Sequence, residues 1–261
     1  MPTKSEEPLE QRLPDGQLVN RDWLQAHGFD RSRVDFFLRA GKLEAVARGV
    51  YRRPGPPLKW QHVVYSLNEM GFSVRVGGRS ALETQGLAHY LPAGDLKRID
   101  LYGKNPMPCW VRMFPGNFRF ETHHRRLFFS LPEAAVHTRP FGAWDWPIPI
   151  STPELAFFEM LGEIKDAAGF EMADKFFESA VNLRPNLLNA LLFSCNQVKA
   201  KRLFLWFSQR HGHAWRNSLE TENVDLGRGK RMLVKGGAYD ADYQITVPRE
   251  MAGGDVEQPL Y

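Results

Sequence analysis

Between Leu18 and Gly55 the chain carries regular helix-stopping and helix-starting residues, and these leave room for few folds. Asn20 suits an N-cap for a helix over 21–27 that turns Trp23 and Leu24 inward. Gly28 is placed to end it in the left-handed conformation, and Asp30 to cap a second helix over 31–40. In that helix Val34, Phe37 and Leu38 recur at i, i+3 and i+4, which is a single buried stripe. Gly41 stops it. Leu43, Val46 and Val50-Tyr51 then read as two strands folding back near Arg48-Gly49, closed by Pro54-Gly55-Pro56-Pro57. Two short helices joined by a glycine-containing turn, followed by a hairpin, predict a winged helix-turn-helix.

Charge falls on the same segment. From Arg31 to Arg53 seven cations (Arg31, Arg33, Arg39, Lys42, Arg48, Arg52 and Arg53) stand against two carboxylates, Asp35 and Glu44. Four-residue spacing puts Arg31, Asp35 and Arg39 on one face of the second helix, opposite its apolar stripe, with Arg33 at the side. A charge run is often only a solvated surface. Its coincidence with this architecture favours a duplex partner, with guanidinium groups reading guanine edges and others holding phosphates. The hairpin arginines, Arg48, Arg52 and Arg53, are expected to reach an adjacent backbone or minor groove. The formal net charge of +4 is too small to argue for a polyanion by itself, so the distribution carries the reading.

Beyond the hairpin the pattern predicts a helix over 60–70, a strand over 72–76, a Gly77-Gly78 turn and a helix over 80–85. Strands are expected in IDLYG, WVRMF and NFRFETHHRRLFF, then a strand and an irregular crossing in AVHTRPFGAWDWPIPI. Helices follow from Pro153 to Leu161, Phe170 to Val181, Pro185 to Cys195 and Gln197 to His211, then strands in KRMLVKGG and DYQITVP. The fold class expected is α+β: an N-terminal winged helix-turn-helix over 9–95 and a larger mixed α/β domain over 96–250. Residues 1–8 are expected as a disordered lead, and the tail after Met251 as loose.

Few residues carry a signature of chemistry. Gly77-Gly78 ahead of a helix, with Asp100 on a later strand, invites a nucleotidyltransferase reading, but the second carboxylate position is Tyr102. One carboxylate does not hold two divalent ions, so the glycines are expected to serve a tight turn. His123-His124 and His211-x-His213 lack acidic or cysteine companions at ligand spacing. No catalytic residue, metal or cofactor is therefore expected. Cys109 and Cys195 read as buried free thiols of a cytoplasmic protein, and no apolar run approaches a membrane span. From Lys199 to Lys235 nine cations oppose three acids, whereas Glu154 to Glu178 carries seven acids against two lysines. These stretches either neutralise one another or leave a recognition surface. Phe204 and Phe207, at i and i+3, read as core.

LVNRDWLQAHGFDRSRVDFFLRAGKLEAVARGVYRRPG, VGGRSALETQGLAHYLP and ISTPELAFFEML, with the later VKAKRLFLWFSQRHGHAW and LGRGKRMLVKGGAYDADYQITVP, together resemble the AbiEi-type antitoxins of type IV toxin–antitoxin systems. The resemblance covers roughly residues 9–250. It implies a winged helix that binds an inverted repeat in its own promoter and represses the operon; because one wing offers limited contact area, a dimer or cooperative monomers are expected there. It also implies a C-terminal domain that counters a nucleotidyltransferase-like toxin without needing a stable complex. On this sequence it carries the DNA role to Arg31, Arg33, Arg39, Arg48, Arg52 and Arg53. It carries an antitoxin surface to Lys199, Lys201, Arg202, Arg210, His213, Trp215, Lys230 and Lys235. The rival readings are an orphan winged-helix regulator with no toxin and, less favoured, a nucleic-acid-processing enzyme using Asp225, Asp240 and Asp242.

Overall fold

The structure, a computed structural model, describes residues 8–87 and 97–252. The expected lead and tail fall outside these residues, apart from Pro8 and Ala252. The described chain gathers into two compact units, each built from separated stretches: residues 8–76, 97–124 and 138–149 in one, and 77–87, 125–137 and 150–252 in the other. The fold is α+β.

The first unit begins with α1 (Leu9–Arg12), β1 (Val19–Asn20), α2 (Arg21–Ala26), α3 (Arg31–Arg39), β2 (Glu44–Ala47) and β3 (Val50–Arg52). The expected caps are in place. The Asn20 side chain accepts from the Trp23 backbone N–H at 2.8 Å, and Asp30 accepts from that of Arg33 at 2.8 Å. Gly28 and Gly41 take φ of 84° and 67°, the left-handed backbone that lets each helix end within one residue. Leu9, Leu13, Val19, Leu24, Phe29, Val34, Phe37, Leu43 and Tyr51 form one core, with Trp23 and Leu38 packed against it. The strands pair in the order β1-β3-β2, all antiparallel. Ala47 faces Val50, so Arg48 and Gly49 alone make the turn, and Gly49 has φ of 75°. Helix, strand, two helices and a two-strand wing in this order constitute a winged helix-turn-helix.

The same unit continues with α4 (Trp60–Glu69) and a five-stranded sheet of order β6-β5-β4-β8-β7. Its strands are β4 (Val74–Val76), β5 (Arg98–Gly103), β6 (Arg119–His123), β7 (Val136–Phe141) and β8 (Trp146–Ser151). β5 runs antiparallel to β4 and parallel to β6. Two sequence expectations are corrected here. WVRMF is not a strand: one helical turn, α6 (Cys109–Arg112), forms instead, because Val111 and Phe114 are the buried pair and their three-residue spacing suits a helix. The irregular crossing expected after Phe141 is a regular hairpin, β7 to β8.

The second unit is helical: α5 (Gly78–Thr84), α7 (Pro153–Glu163), α8 (Ala167–Glu178), α9 (Pro185–Ser194) and α10 (Val198–His211). Phe157, Phe158, Phe170, Phe177, Phe204 and Phe207 fill its centre, with Phe158 stacked on Phe204 at 4.5 Å and Phe177 on Phe207 at 4.9 Å. A hairpin of β9 (Ala238–Asp240) and β10 (Ile245–Val247) closes it. KRMLVKGG, expected as a strand, is mostly loop. The N–H groups of Leu233 and Val234 donate to the Thr246 hydroxyl rather than to a strand partner, and Met232 stands 76% exposed.

Two buried carboxylates tie these units to pH. Glu154, in the first turn of α7, accepts from the Arg184 backbone N–H, Nε and Nη2, all at 2.9 Å. Burial alone would push its carboxyl up, but the Arg184 hydrogen bonds outweigh that and hold it below the ordinary glutamate range. Asp100, on β5, is likewise pushed up by burial and pulled down further by His123 and Arg98, at 2.9 and 2.8 Å. A carboxylate depressed in the folded state stabilises fully above its unfolded value, about 4, and loses that contribution as pH falls through the folded one. Through these two carboxylates the melting temperature is therefore expected to drop below about pH 4, with E154Q showing a shallower acid limb. An acid limb unchanged in E154Q would contradict this assignment.

Candidate nucleic-acid interface

The seven cations of the winged helix divide by what surrounds them. Arg31, Arg39, Lys42 and Arg48 are exposed. Arg31 and Arg39 sit at the two ends of α3, Lys42 follows its glycine stop, and Arg48 occupies the tip of the wing. Arg39 is partly steadied by a bond from its Nε to the Asp35 carbonyl, one turn back, at 3.3 Å. Arg33 is half-buried, its guanidinium lying 5.5 Å from the Phe29 ring centre and 5.8 Å from that of Phe37.

The other two turn back onto protein, contrary to the projecting arrangement expected from sequence. Arg52 pairs across the hairpin with Glu44 and donates to the carbonyls of Pro56 at 2.8 Å and Gly55 at 3.2 Å. Arg53 pairs with Asp15 at 2.9 Å and reaches the Leu13 carbonyl at 3.3 Å. The cause is local. Register opposes Glu44 to Arg52, and the Pro-Gly-Pro-Pro run after Arg53 curls carbonyls to within reach. Arg52 ties the two wing strands to the loop that follows them, and Arg53 ties the end of the wing to the turn after α1.

The outward surface of α3 also differs from the expected one. Asp35 is half-buried and stands 4.0 Å from Arg21, whose Nε donates to the Tyr51 hydroxyl at 3.0 Å. The exposed face consists of Arg31, Ser32, Phe36 and Arg39. Sequence reasoning assigned Phe36 no place. The signal was available, since Phe36 lies about 100° around the helix from Phe37 and so falls outside the Val34–Phe37–Leu38 stripe.

The expected C-terminal surface is only partly at the surface. Lys201, Arg202 and Trp215 are buried, so these three are corrected from surface to core. Arg202 donates to four carbonyls: Leu226 at 2.8 Å, Gly227 at 3.1 Å, Gly229 at 2.8 Å and Gln244 at 3.1 Å. Trp215 donates to the Ala180 carbonyl at 2.7 Å, and His213 bonds that of Phe177 at 2.6 Å. Lys199 is half-buried and donates to the Ile164 carbonyl at 2.8 Å; burial pushes its ammonium pKa down. Arg210 pairs with Asp174 at 2.9 Å, so the acidic and basic stretches do neutralise each other at that point. Lys230 and Lys235 are exposed, Lys230 standing 4.7 Å over the Tyr239 ring.

The features that invited catalysis are engaged by the protein's own groups. The Gly78 N–H, at the strand-to-helix turn, donates to the buried Glu159 carboxylate at 2.8 Å, and φ of 51° there explains the glycine. Asp100 is held by Arg98 and His123, and His211 bonds Asp174 at 2.7 Å. Of the two thiols, Cys195 is buried as expected, but Cys109 is exposed at the start of α6. Among the described residues no helix is long and apolar enough to cross a membrane.

Residues 3–93 match the family described as transcriptional regulator, AbiEi antitoxin N-terminal domain, and residues 96–248 the one described as transcriptional regulator, AbiEi antitoxin, type IV TA system. No curated protein matches the chain.

Proposed function

Because the chain belongs to the AbiEi family of antitoxin transcriptional regulators of type IV toxin–antitoxin systems, we propose that it represses its own operon through the winged helix and neutralises a co-encoded toxin. Residues 9–95 take the operator and residues 96–250 the neutralising role. The observation that carries the first part is the four exposed cations, Arg31, Arg39, Lys42 and Arg48, distributed over α3, the turn after it and the wing tip. These are the parts of a winged helix that meet a duplex: the second helix enters the major groove while the wing tracks the neighbouring backbone.

One wing offers little contact area, so two copies act on an inverted repeat, as a dimer or as cooperative monomers. The neutralising role is borne by the exposed Lys230 and Lys235 on the loop anchored by Arg202, with Arg210, His213 and Trp215 shaping the unit beneath. The partner is a nucleotidyltransferase-like toxin, met without a stable complex. The chain acts in the cytoplasm as a non-enzyme without cofactor.

The test is co-expression with the neighbouring gene product, scored for growth, beside binding to the promoter fragment upstream. Rescue by wild type, lost in K230A/K235A, supports the neutralising role. Promoter binding without any rescue leaves an orphan regulator in its place.

A further inference from the structure

The exposed face of α3 holds one apolar group among its charges. Phe36 is 54% exposed, while its neighbour Phe37, 5.9 Å away between ring centres, is buried in the core. Ser32 lies one turn before Phe36 and Arg39 one turn after, both exposed, so the ring projects from the middle of the face that the proposed function turns toward DNA. Arg31, Lys42 and Arg48 are exposed at the end of this helix, in the turn beyond it and on the wing. A partner must therefore be polyanionic around its edge and apolar at one point within. The major groove of duplex DNA has that character: phosphates border it, and the thymine C5-methyl is the apolar group on its floor. An acidic protein would satisfy the cations, but it has no reason to place an apolar atom at the depth of a recognition helix.

We infer that Phe36 is a specificity-determining residue of this winged helix, reading a thymine by packing its ring on the C5-methyl group within each half-site. The inference rests on the operator-binding reading above and gives it a base identity. Arg31 and Arg39, one at each end of the helix, reach the bases that flank it, and Phe36 tells thymine from cytosine between them.

The test compares two versions of one duplex: the sequence that the full chain retains from a random library, and the same sequence with deoxyuridine in place of every thymidine. Deoxyuridine keeps the hydrogen-bonding pattern and removes only the methyl. Wild type is expected to bind the deoxyuridine duplex about fourfold more weakly for each methyl it covers. F36A is expected to bind both duplexes equally, at the level of wild type on deoxyuridine, and F36L to recover part of the difference. Because Phe36 is exposed, F36A should melt with wild type, which separates recognition from folding. Equal binding of both duplexes by wild type, or an undiminished penalty in F36A, overturns the assignment of Phe36 while leaving operator binding intact. Failure to retain any sequence above random duplex overturns both.

Discussion

R31A/R39A/R48A is expected to bind the operator at least about thirtyfold more weakly than wild type at physiological salt, with an unchanged melting temperature. Arg31 and Arg39 are exposed on the face of α3 that carries Ser32 and Phe36. Truncating an arginine that reads a base costs roughly 1–3 kcal/mol, so two such truncations compound to that factor or more. Arg48, alone with Gly49 in the wing turn, is expected to meet backbone rather than bases, so its removal should weaken all sequences alike. Salt dependence separates the two contributions. Each phosphate neutralised adds about −0.9 to the slope of log affinity against log salt, so with Arg31 and Arg39 on bases, Lys42 and Arg48 on the backbone set a slope of about −1.8 per bound copy. Counting Arg52 and Arg53 as further phosphate ligands would steepen it toward about −3.6, but both are tied to Glu44, Asp15 and main-chain carbonyls. R52A/R53A should accordingly lower the melting temperature and leave the slope unchanged. Intact operator binding by the triple variant, measured by titration at two salt concentrations, would remove this face from consideration.

The residues that speak most clearly from sequence are those whose conformational demands are local. Asn20, Gly28, Asp30 and Gly41 each act on their own turn of chain, and each does in the structure what its chemistry requires. The same holds for Phe204 and Phe207, whose spacing alone marks a buried stripe. Side-chain direction is less legible, because it depends on partners distant in sequence. Arg53 finds Asp15, 38 positions earlier, and Arg202 finds carbonyls 24 to 42 positions later, so neither cation is available for the surface that its charge suggested. Cys109 fails for a related reason: its apolar neighbours Trp110 and Val111 belong to one helical turn that faces only Val111 inward. A positive charge read from sequence says that a cation exists. Whether it points outward depends on where the acids and the spare carbonyls end up.

Arg202 turns that point into the largest stability effect expected from a single change. The residue is 2% exposed, and its guanidinium is the common donor to the carbonyls of Leu226, Gly227, Gly229 and Gln244. A buried cation held by neutral carbonyls is retained because the fork of the guanidinium matches their spread, and the Gln244 carbonyl also accepts from the Arg231 backbone N–H at 2.9 Å. R202M keeps the length and apolar stem but strands the acceptors. An acceptor left without a donor costs about 1–3 kcal/mol when water is kept from it, but Gly227, Gly229 and Gln244 are exposed residues and Leu226 half-buried, so water serves part of the set and a destabilisation of about 2–3 kcal/mol is expected. R202K supplies an ammonium with three donors for four acceptors and should recover only part. Urea denaturation gives the magnitude, and amide exchange its place: faster exchange confined to 226–246 marks the loop, whereas uniform acceleration marks the whole unit. The loop bears Lys230 and Lys235, so R202M should also weaken growth rescue although its side chain never reaches the surface. K230A/K235A should weaken rescue with no change in stability. A destabilisation below about 1 kcal/mol in R202M would mean that solvent already serves these carbonyls, and the loop would then need some other anchor.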